Sequence, residues 1–295
     1  MDAFRDSVRR ALRKATAYRA IRVVLRKLTL TGRIPPGIWK RLPIEATFTV
    51  VITPDSRFRY SSVANDQIGR ALYWRGWKGY EPETVEPFYR FARTATRVLD
   101  IGANTGFYSL LACAANPLSE VISFEPLPRV YERLVTNIRA NGWEHRCCAR
   151  CEAVSNVEGM ARFHVPAGDV PVSGSLSEKG FRGYTGELID VRVTAIDAVC
   201  CEGRVDLVKI DAENFENRVL EGMQHVLAAS RPEIIVECNV DGPFSEVQEI
   251  LKGFDYRFFH LRSDGPEPVD RIVPDPTGRF RNFLCISRNS QGNMG

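Results

Sequence analysis

From residue 97 to near the end of the chain, short apolar runs alternate with stretches whose apolar residues recur every three or four positions. A run of four or five apolar residues suits a strand buried on both faces, whereas the longer period suits a helix with one apolar stripe. The alternation predicts strands at Val98–Ile101, Val121–Phe124, Cys147–Val154, Asp206–Ile210 and Ile234–Glu237. Between them it predicts helices at Thr105–Ala115, Pro128–Asn141, Phe215–Ala229 (with Asn214 as cap) and Phe244–Lys252. Strands at Tyr256–Leu261 and Phe283–Ser287 close the pattern, and a loop-rich insert at about 160–193 reads as a hairpin. Repeated β–α units build a mostly parallel sheet with helices on both faces, here of seven strands in a Rossmann-like α/β fold. Ligands of such sheets bind outside the carboxyl ends of the strands, where the strand order reverses.

What precedes residue 97 differs in character. Residues 2–30 predict a helix with a basic face formed by Arg5, Arg9, Arg10, Arg13, Lys14, Arg19, Arg22, Arg26 and Lys27. An apolar stripe of Phe4, Val8, Leu12, Tyr18, Ile21, Leu25 and Leu28 runs beside it, and Gly32 with Pro35-Pro36-Gly37 ends it. Strands are expected around Phe48–Ile52 and Phe58–Tyr60, and helices at about 65–74 and 83–95. The organisation expected is therefore a basic arm (1–33), a lead-in that helps cover the ligand site (34–95) and a ligand-binding domain (96–290).

Charge separates these parts. Residues 1–33 hold ten Lys/Arg against two acids, whereas the rest of the chain has 30 against 34. A mildly acidic body gives no reason to expect nucleic acid as a partner. The basic arm suits either reversible contact with an anionic membrane or packing on the catalytic domain or a second subunit, and a dimer is compatible with the latter. No run reaches the roughly 18 apolar residues that span a bilayer, and arginines interrupt the N-terminus where a signal peptide would be apolar. A cytoplasmic protein, peripheral at the membrane at most, is expected. The eight cysteines include Cys147, Cys148 and Cys151, a lone C-x-x-C without a second ligand pair, so reduced thiols are expected and no metal site.

The chemistry is carried first by Arg97-Val-Leu-Asp-Ile-Gly-Ala-Asn-Thr-Gly-Phe107, a strand that runs through a glycine turn into a helix. Gly102 and Gly106 let backbone approach a ligand where a Cβ would collide. A dinucleotide turn reads G-x-G-x-x-G and seats a pyrophosphate. Here Asp100 stands just ahead of the turn; its carboxylate would repel a pyrophosphate but receives an ammonium, directly or through water. That favours S-adenosyl-L-methionine over NAD. Glu125, at the end of the second strand and ahead of Pro126, is placed to accept hydrogen bonds from both ribose hydroxyls of an adenosine. Third, Val208-Lys-Ile-Asp-Ala-Glu-Asn214 sets Lys209, Asp211 and Glu213 at the end of a central strand that should be apolar throughout. While the chain stays extended these residues share one face, and charges there need partners or a task. The plainer alternative is that Lys209 pairs with Asp211 while Glu213 favours the helix dipole. Glu237 adds a fourth charge at the same rim.

Together these pieces resemble the FkbM-type methyltransferase family over roughly residues 72 to 287. The match runs through Tyr73-Trp-Arg-Gly-Trp-Lys-Gly-Tyr-Glu-Pro-Glu-Thr84, Asp100–Gly106, Ser123-Phe-Glu-Pro126, Val193-Thr-Ala-Ile-Asp197, Val208–Glu213 and Arg231-Pro-Glu-Ile-Ile-Val-Glu237. The resemblance implies a class I methyltransferase fold and O-methylation of sugars, glycolipids or polyketides. It implies cofactor contacts from Tyr80, Glu81, Asp100, Gly102, Ala103, Asn104, Thr105, Gly106, Phe107, Glu125, Pro126, Ser155 and Asp211. Asn214 is a departure, because the family commonly has Gly there.

Methyl transfer to a hydroxyl needs alignment and a base for the departing proton. Asp211 is the first candidate for that base and Glu213 the second, with Lys209 to orient the acid or steady the developing alkoxide. Of the four histidines, His164 lies in the insert and is an outside candidate; His225 falls mid-helix, and His145 and His260 carry no assigned role. Two rival readings are an N-methyltransferase and a non-catalytic cofactor-binding protein docked through the basic arm. The first lacks the Asn/Asp-Pro-Pro-aromatic segment that positions an exocyclic amine, because Asp211-Ala-Glu-Asn occupies its place.

Overall fold

Aromatic and β-branched residues favour extended chain because they pack well on a pleated surface. The computed structural model describes residues 19–165, 187–200 and 202–288. In it, the first such runs form an antiparallel pair, Ala46–Val51 (β1) and Arg57–Ser62 (β2). They belong to the first of two compact units, Met1–Pro82 and Glu83–Gly295. The first unit also holds Arg19–Leu30 (α1), Pro36–Trp39 (α2) and Gln67–Arg75 (α3). Asp66 caps α3 by accepting from the Gly69 amide at 2.8 Å. Trp39, Leu42, Ile44, Ala71, Tyr73 and Trp74 form its core, with the Trp74 indole donating to the Leu42 carbonyl.

Helix α1 keeps part of the expected polarity: Leu25 and Leu28 of the apolar stripe are half-buried, and Lys27 of the basic face is exposed. Leu25 touches the core, but beside it Arg26 lies 5.0 Å over the Tyr73 ring and donates to the Tyr73 carbonyl at 2.8 Å. Ile21, expected on the inward stripe, is 44% exposed, and Val23, Val24 and Leu30 are 49%, 58% and 51% exposed. A cation–π contact holds Arg26 on the inner face beside Leu25, while Ile21 and three aliphatic residues off the stripe lie outward. The expected helix over residues 2–18 lies outside the described residues.

Helix Pro82–Ala92 (α4) starts at the last residue of the first unit, and the second unit then follows the predicted alternation. Its strands and helices are Arg97–Ile101 (β3), Phe107–Ala115 (α5), Glu120–Phe124 (β4), Pro128–Arg139 (α6) and Cys147–Arg150 (β5). Then come Glu152–Val154 (β6), Gly159–Val165 (β7), Glu187–Thr194 (β8), Ile196–Val199 (α7) and Leu207–Ile210 (β9). Glu216–Glu221 (α8), Gln224–Ser230 (α9), Glu233–Glu237 (β10), Phe244–Gly253 (α10), Tyr256–Arg262 (β11), Gly265–Val269 (β12) and Asn282–Ser287 (β13) complete it. The main sheet runs β12-β11-β13-β10-β9-β3-β4-β5. The five strands β5, β4, β3, β9 and β10 are parallel, and β13, β11 and β12 are antiparallel. Strand order reverses between β3 and β9, so the ligand crevice of this Rossmann-like α/β fold lies beyond Ile101 and Ile210. Leu99, Ile101, Val208, Ile210, Ile234, Val236 and Phe283 lie in the main core.

Three expectations change. The sheet has eight strands, because β12 adds an edge strand to the seven predicted. Pro266 and Pro268 make it read as a loop, and an edge is where a sheet tolerates proline. The run 147–154 divides: β5 stays in the main sheet, while β6 pairs with β8 in a three-stranded sheet, β6-β8-β7. The helix predicted over 215–229 also divides. The Gly222 carbonyl bonds the Asp197 amide, and the Asp197 carboxylate then accepts from the His225 and Val226 amides to begin α9. Asn214 does not cap the first half; Phe215 takes the cap position without a side-chain bond. Among the described residues, no helix is long and apolar enough to cross a membrane.

Candidate active site

The turn after β3 is a strained piece of backbone held from several sides. Gly102, Asn104 and Gly106 have φ of 77°, 50° and 91°. A Cβ on Gly102 would sit 1.9 Å from the Asp211 carbonyl oxygen, and one on Gly106 would be 2.5 Å from Leu134 Cδ1. The amides of Gly102 and Ala103 both donate to the Phe124 carbonyl at the end of β4, at 3.0 and 2.9 Å. The Asn104 amide donates to Glu125 Oε2 at 2.9 Å, and the Thr105 amide to Asn104 Oδ1 at 2.8 Å. The Gly106 amide donates to Ala103. Asn137 of α6 bonds the Thr105 carbonyl, and Phe107, expected third in the helix, opens α5 as a buried residue.

This amide inventory decides between ligands. Every backbone N–H from Gly102 to Gly106 already has a partner in the turn, so none stands open to cradle a pyrophosphate. Two acids flank the turn instead. Glu125 accepts from the Asn104 and Leu127 amides, one on each oxygen, and each oxygen keeps a further lone pair for a ribose hydroxyl. Burial lifts its carboxyl to about 7; those two amides pull the other way, and the charges of Asp100 and Asp211 add to the rise. Asp100 is 1% exposed and accepts from the Ser109 hydroxyl at 2.5 Å. Burial lifts it to about 6, while the Ser109 hydroxyl and the Lys209 charge oppose the rise. Two acids on adjacent strand tips around an amide-saturated glycine turn fit an adenosine joined to a cationic amino acid.

At the end of β9, Asp211 is half-buried, and its amide donates to the Ile101 carbonyl at 2.9 Å. Lys209 is 1% exposed; its Nζ donates to the Ile210 carbonyl and lies 5.5 Å over the Tyr108 ring of α5. Extended chain stops at Ile210, so the expected shared face does not continue to Glu213. Glu213 and Asn214 take φ of 49° and 74°. That conformation explains a glycine at position 214 in the family, and asparagine is the side-chain-bearing residue that adopts it most readily. Gly242 leaves the room Asn214 needs: a Cβ there would meet Asn214 Oδ1 at 2.7 Å. Asn214 Oδ1 in turn accepts from Asn239.

Sequence reasoning left Glu216, Asn239 and Arg281 without a role. Glu216 is buried and accepts from the amides of Ala212 and Asn214, both at 3.1 Å, so it moulds the backbone around Asp211. Burial lifts it to about 7, and the charge of Asp211 adds to the rise. Arg281 pairs with the buried Glu237 at 2.6 Å, and Asn239 also donates to Glu237. Burial, with the charges of Asp211 and Glu237, holds Glu213 well above the usual carboxylate range. The signal for Glu216 was an acid in the first turn of a helix; for Arg281 no local pattern exists.

The other expected residues have distinct local surroundings. Ser155, after β6, is buried with its amide on the Thr194 carbonyl, and it lines a cavity of about 310 Å³ with Phe215 and Arg218. Pro126 follows Glu125, and its carbonyl accepts from the Cys151 thiol at 3.8 Å. Tyr80 and Glu81 belong to the first unit, where Tyr80 packs on the tryptophan cluster and Glu81 has φ 40°. His260 is buried, stacked on Phe283 and bonded to the Phe280 carbonyl; His164 pairs with Leu188 in the β7–β8 hairpin.

Comparison with known proteins identifies the family. Residues 100–258 match the family described as the methyltransferase FkbM domain, more than half of the chain. The chain is 28% identical over 247 residues to the 31-O-demethyl-FK506 methyltransferase FkbM of Streptomyces tacrolimicus, covering 73% of this chain and 87% of that one. Among solved structures, it is similar to a methyltransferase FkbM from Methylobacillus flagellatus at 12% identity and a TM-score of 0.42. That alignment covers 90% of this chain and 59% of the other, so the chain spans under two thirds of that structure's length. A SAM-dependent methyltransferase from Agrobacterium tumefaciens aligns at 12% identity and a TM-score of 0.44, covering 83% of this chain and 71% of that one. The chain belongs to the FkbM methyltransferase family and is an S-adenosylmethionine-dependent methyltransferase.

Proposed function

We propose that the enzyme transfers the methyl group to an aliphatic hydroxyl of a sugar, glycolipid or polyketide-type small molecule. The observation that carries this reading is the contact between Gly102 and Asp211. The backbone of Asp211 closes against Gly102, a residue of the cofactor turn that can carry no side chain, which sets a half-buried carboxylate beside the turn. When bound, the cofactor supplies a methyl carbon activated by a sulfonium. Asp211 accepts the hydroxyl proton as the oxygen attacks. Glu213 is the poorer base, because burial beside Asp211 and Glu237 keeps it protonated. Lys209 faces the core side of the strand, over Tyr108, and balances Asp100 rather than meeting an acceptor. Asp100 receives the ammonium and Glu125 the ribose hydroxyls. The S. tacrolimicus relative, whose name places its methyl group on oxygen, supports a hydroxyl acceptor. The test is incubation of the purified protein and S-adenosylmethionine with a panel of hydroxyl acceptors and amine controls. Methyl ethers formed in step with S-adenosylhomocysteine release are expected; methylation of amines alone would overturn the reading.

We further propose that α1 rests reversibly on an anionic membrane near such an acceptor. Supporting it are the outward Ile21, Val23, Val24 and Leu30, with Lys27 exposed among them, and the ten Lys/Arg of the first 33 residues.

A further inference from the structure

Behind Asp100 the core contains a short line of hydroxyl and thiol groups. Ser109 of α5 bonds Asp100 Oδ2 at 2.5 Å, Ser123 of β4 lies 2.7 Å from the Ser109 hydroxyl, and the Cys147 thiol of β5 is 3.8 Å from Ser123. All four residues are buried. Their proton directions follow from counting. A carboxylate only accepts, so Ser109 gives its single proton to Asp100. Ser109 must then accept from Ser123, and Ser123, its proton spent, can only accept from the Cys147 thiol, which also bonds Cys113. Both serine hydroxyls therefore point along the line toward the carboxylate, an arrangement in which successive hydrogen bonds polarise one another.

We propose that Ser109 and Ser123 are positioning residues for cofactor binding, donating in series toward Asp100 so that its carboxylate stays ionised and fixed for the cofactor's ammonium. This rests on the reading that Asp100 receives that ammonium. The charged and titratable groups facing Asp100 are Lys209 from β9, Asp211 beyond the end of β9, Glu125 beyond the end of β4 and the Cys147 thiol of β5. Of these only Lys209 favours the ionised form, and burial opposes it. The hydroxyl line supplies what a single lysine and a dry site do not. Serine suits the task because Ala in its place removes only the hydroxyl and creates almost no void, so the fold should tolerate the test substitutions.

The experiment is equilibrium binding of S-adenosylhomocysteine, which keeps the ammonium, to the full chain between about pH 5 and 7.5. Wild type, Ser109→Ala, Ser123→Ala and Asp100→Asn are compared, with thermal unfolding as a check on each fold. For wild type, affinity should fall on acidification as Asp100 and Glu125 take up protons, and a Glu125→Gln background isolates the Asp100 step. Ser109→Ala should move the midpoint of that fall up by about one pH unit, the effect of losing one bond to a charged group. Binding should then be severalfold weaker near pH 6 and recover toward pH 7.5. Ser123→Ala should shift it the same way by less. A Ser109→Ala loss equal at every pH, or no change, overturns the proposal while Asp100→Asn still removes the acid limb that remains in the Glu125→Gln background. If Asp100→Asn binds like wild type at every pH, the reading beneath it fails instead.

Discussion

Asp100 on β3 and Lys209 on β9 stand opposite each other in adjacent parallel strands, each 1% exposed, where the strand order reverses. Two opposite charges in the middle of a dry sheet are costly unless each compensates the other. Lys209→Met should therefore destabilise the unliganded protein by about 1–3 kcal/mol, less than a fully orphaned charge would cost because Asp100 can take up a proton. Urea unfolding should show a larger loss at pH 8 than at pH 5, where Asp100 is already neutral in both proteins. An equal loss at both would mean that Lys209 matters only for packing.

Asp211→Asn preserves size and most hydrogen-bonding geometry but removes basicity. Turnover should fall by about two orders of magnitude or more, while the affinity for S-adenosylmethionine changes far less. Steady-state rates and calorimetry on the same preparation check the two halves separately. Unimpaired turnover would move the base to Glu213, Glu237 or His164.

The parts of this site that could be read in the sequence are those fixed by local chemistry. Gly102 and Gly106 announce backbone that side chains forbid, and Asp100 and Glu125 stand out because they end apolar strands. Asn214 is legible as a departure, and its φ of 74° gives the departure a cause. What could not be read depends on partners far along the chain. Glu216 is an ordinary first-turn acid until Ala212 and Asn214 turn their amides toward it. Arg281 precedes a strand with no local mark and meets Glu237 from 44 residues away. The break at Gly222 arises because Asp197 claims its carbonyl, and Arg26 of α1 lies inward because Tyr73 holds it. Periodicity places Leu25 and Leu28 inward, but not the arginine that shares their face.

Glu216 should leave a signature in the pH dependence of stability. Its proton is held to about pH 7 in the folded protein against 4.5 for an ordinary glutamate. The folded state thus binds the extra proton between these values. The contribution is fully present below about pH 4.5 and is lost as pH rises through 7, by at most about 3 kcal/mol. Glu216→Gln keeps an acceptor for the two amides and removes the titration. Its unfolding temperature should decline less between pH 5 and 7 than that of wild type, and parallel slopes would refute the assignment.

Gly102→Ala tests the closure of the cofactor turn on Asp211. The added methyl group would lie 1.9 Å from a carbonyl oxygen, on a residue with φ 77°. Neither atom belongs to a flexible side chain, so β3 and the segment after β9 would have to part. Stability should fall by about 2–4 kcal/mol, and both cofactor affinity and turnover should fall with it. A variant that binds and turns over normally would show that the turn can move without consequence.

The outward face of α1 gives the last prediction. A helix at the surface of a protein in water normally turns its apolar side chains inward. Here Arg26 is held inside against Tyr73 and four aliphatic residues face out, near Lys27 and a strongly basic N-terminal sequence. An anionic bilayer satisfies both features: each cation near its surface contributes about 1 kcal/mol before screening, and the aliphatic side chains enter shallowly. Full-length protein should co-sediment with vesicles containing phosphatidylserine and be released by salt, but not co-sediment with neutral phosphatidylcholine vesicles. Val24→Asp should weaken binding severalfold by placing a charge where insertion is needed, and Lys27→Glu should weaken it and flatten its salt dependence. Both residues are exposed, so neither change should alter the unfolding temperature or methyl transfer to a water-soluble acceptor. Binding that ignores lipid charge, or self-association abolished by Val24→Asp in the absence of vesicles, would identify the face as a contact between protein copies and sink the membrane assignment.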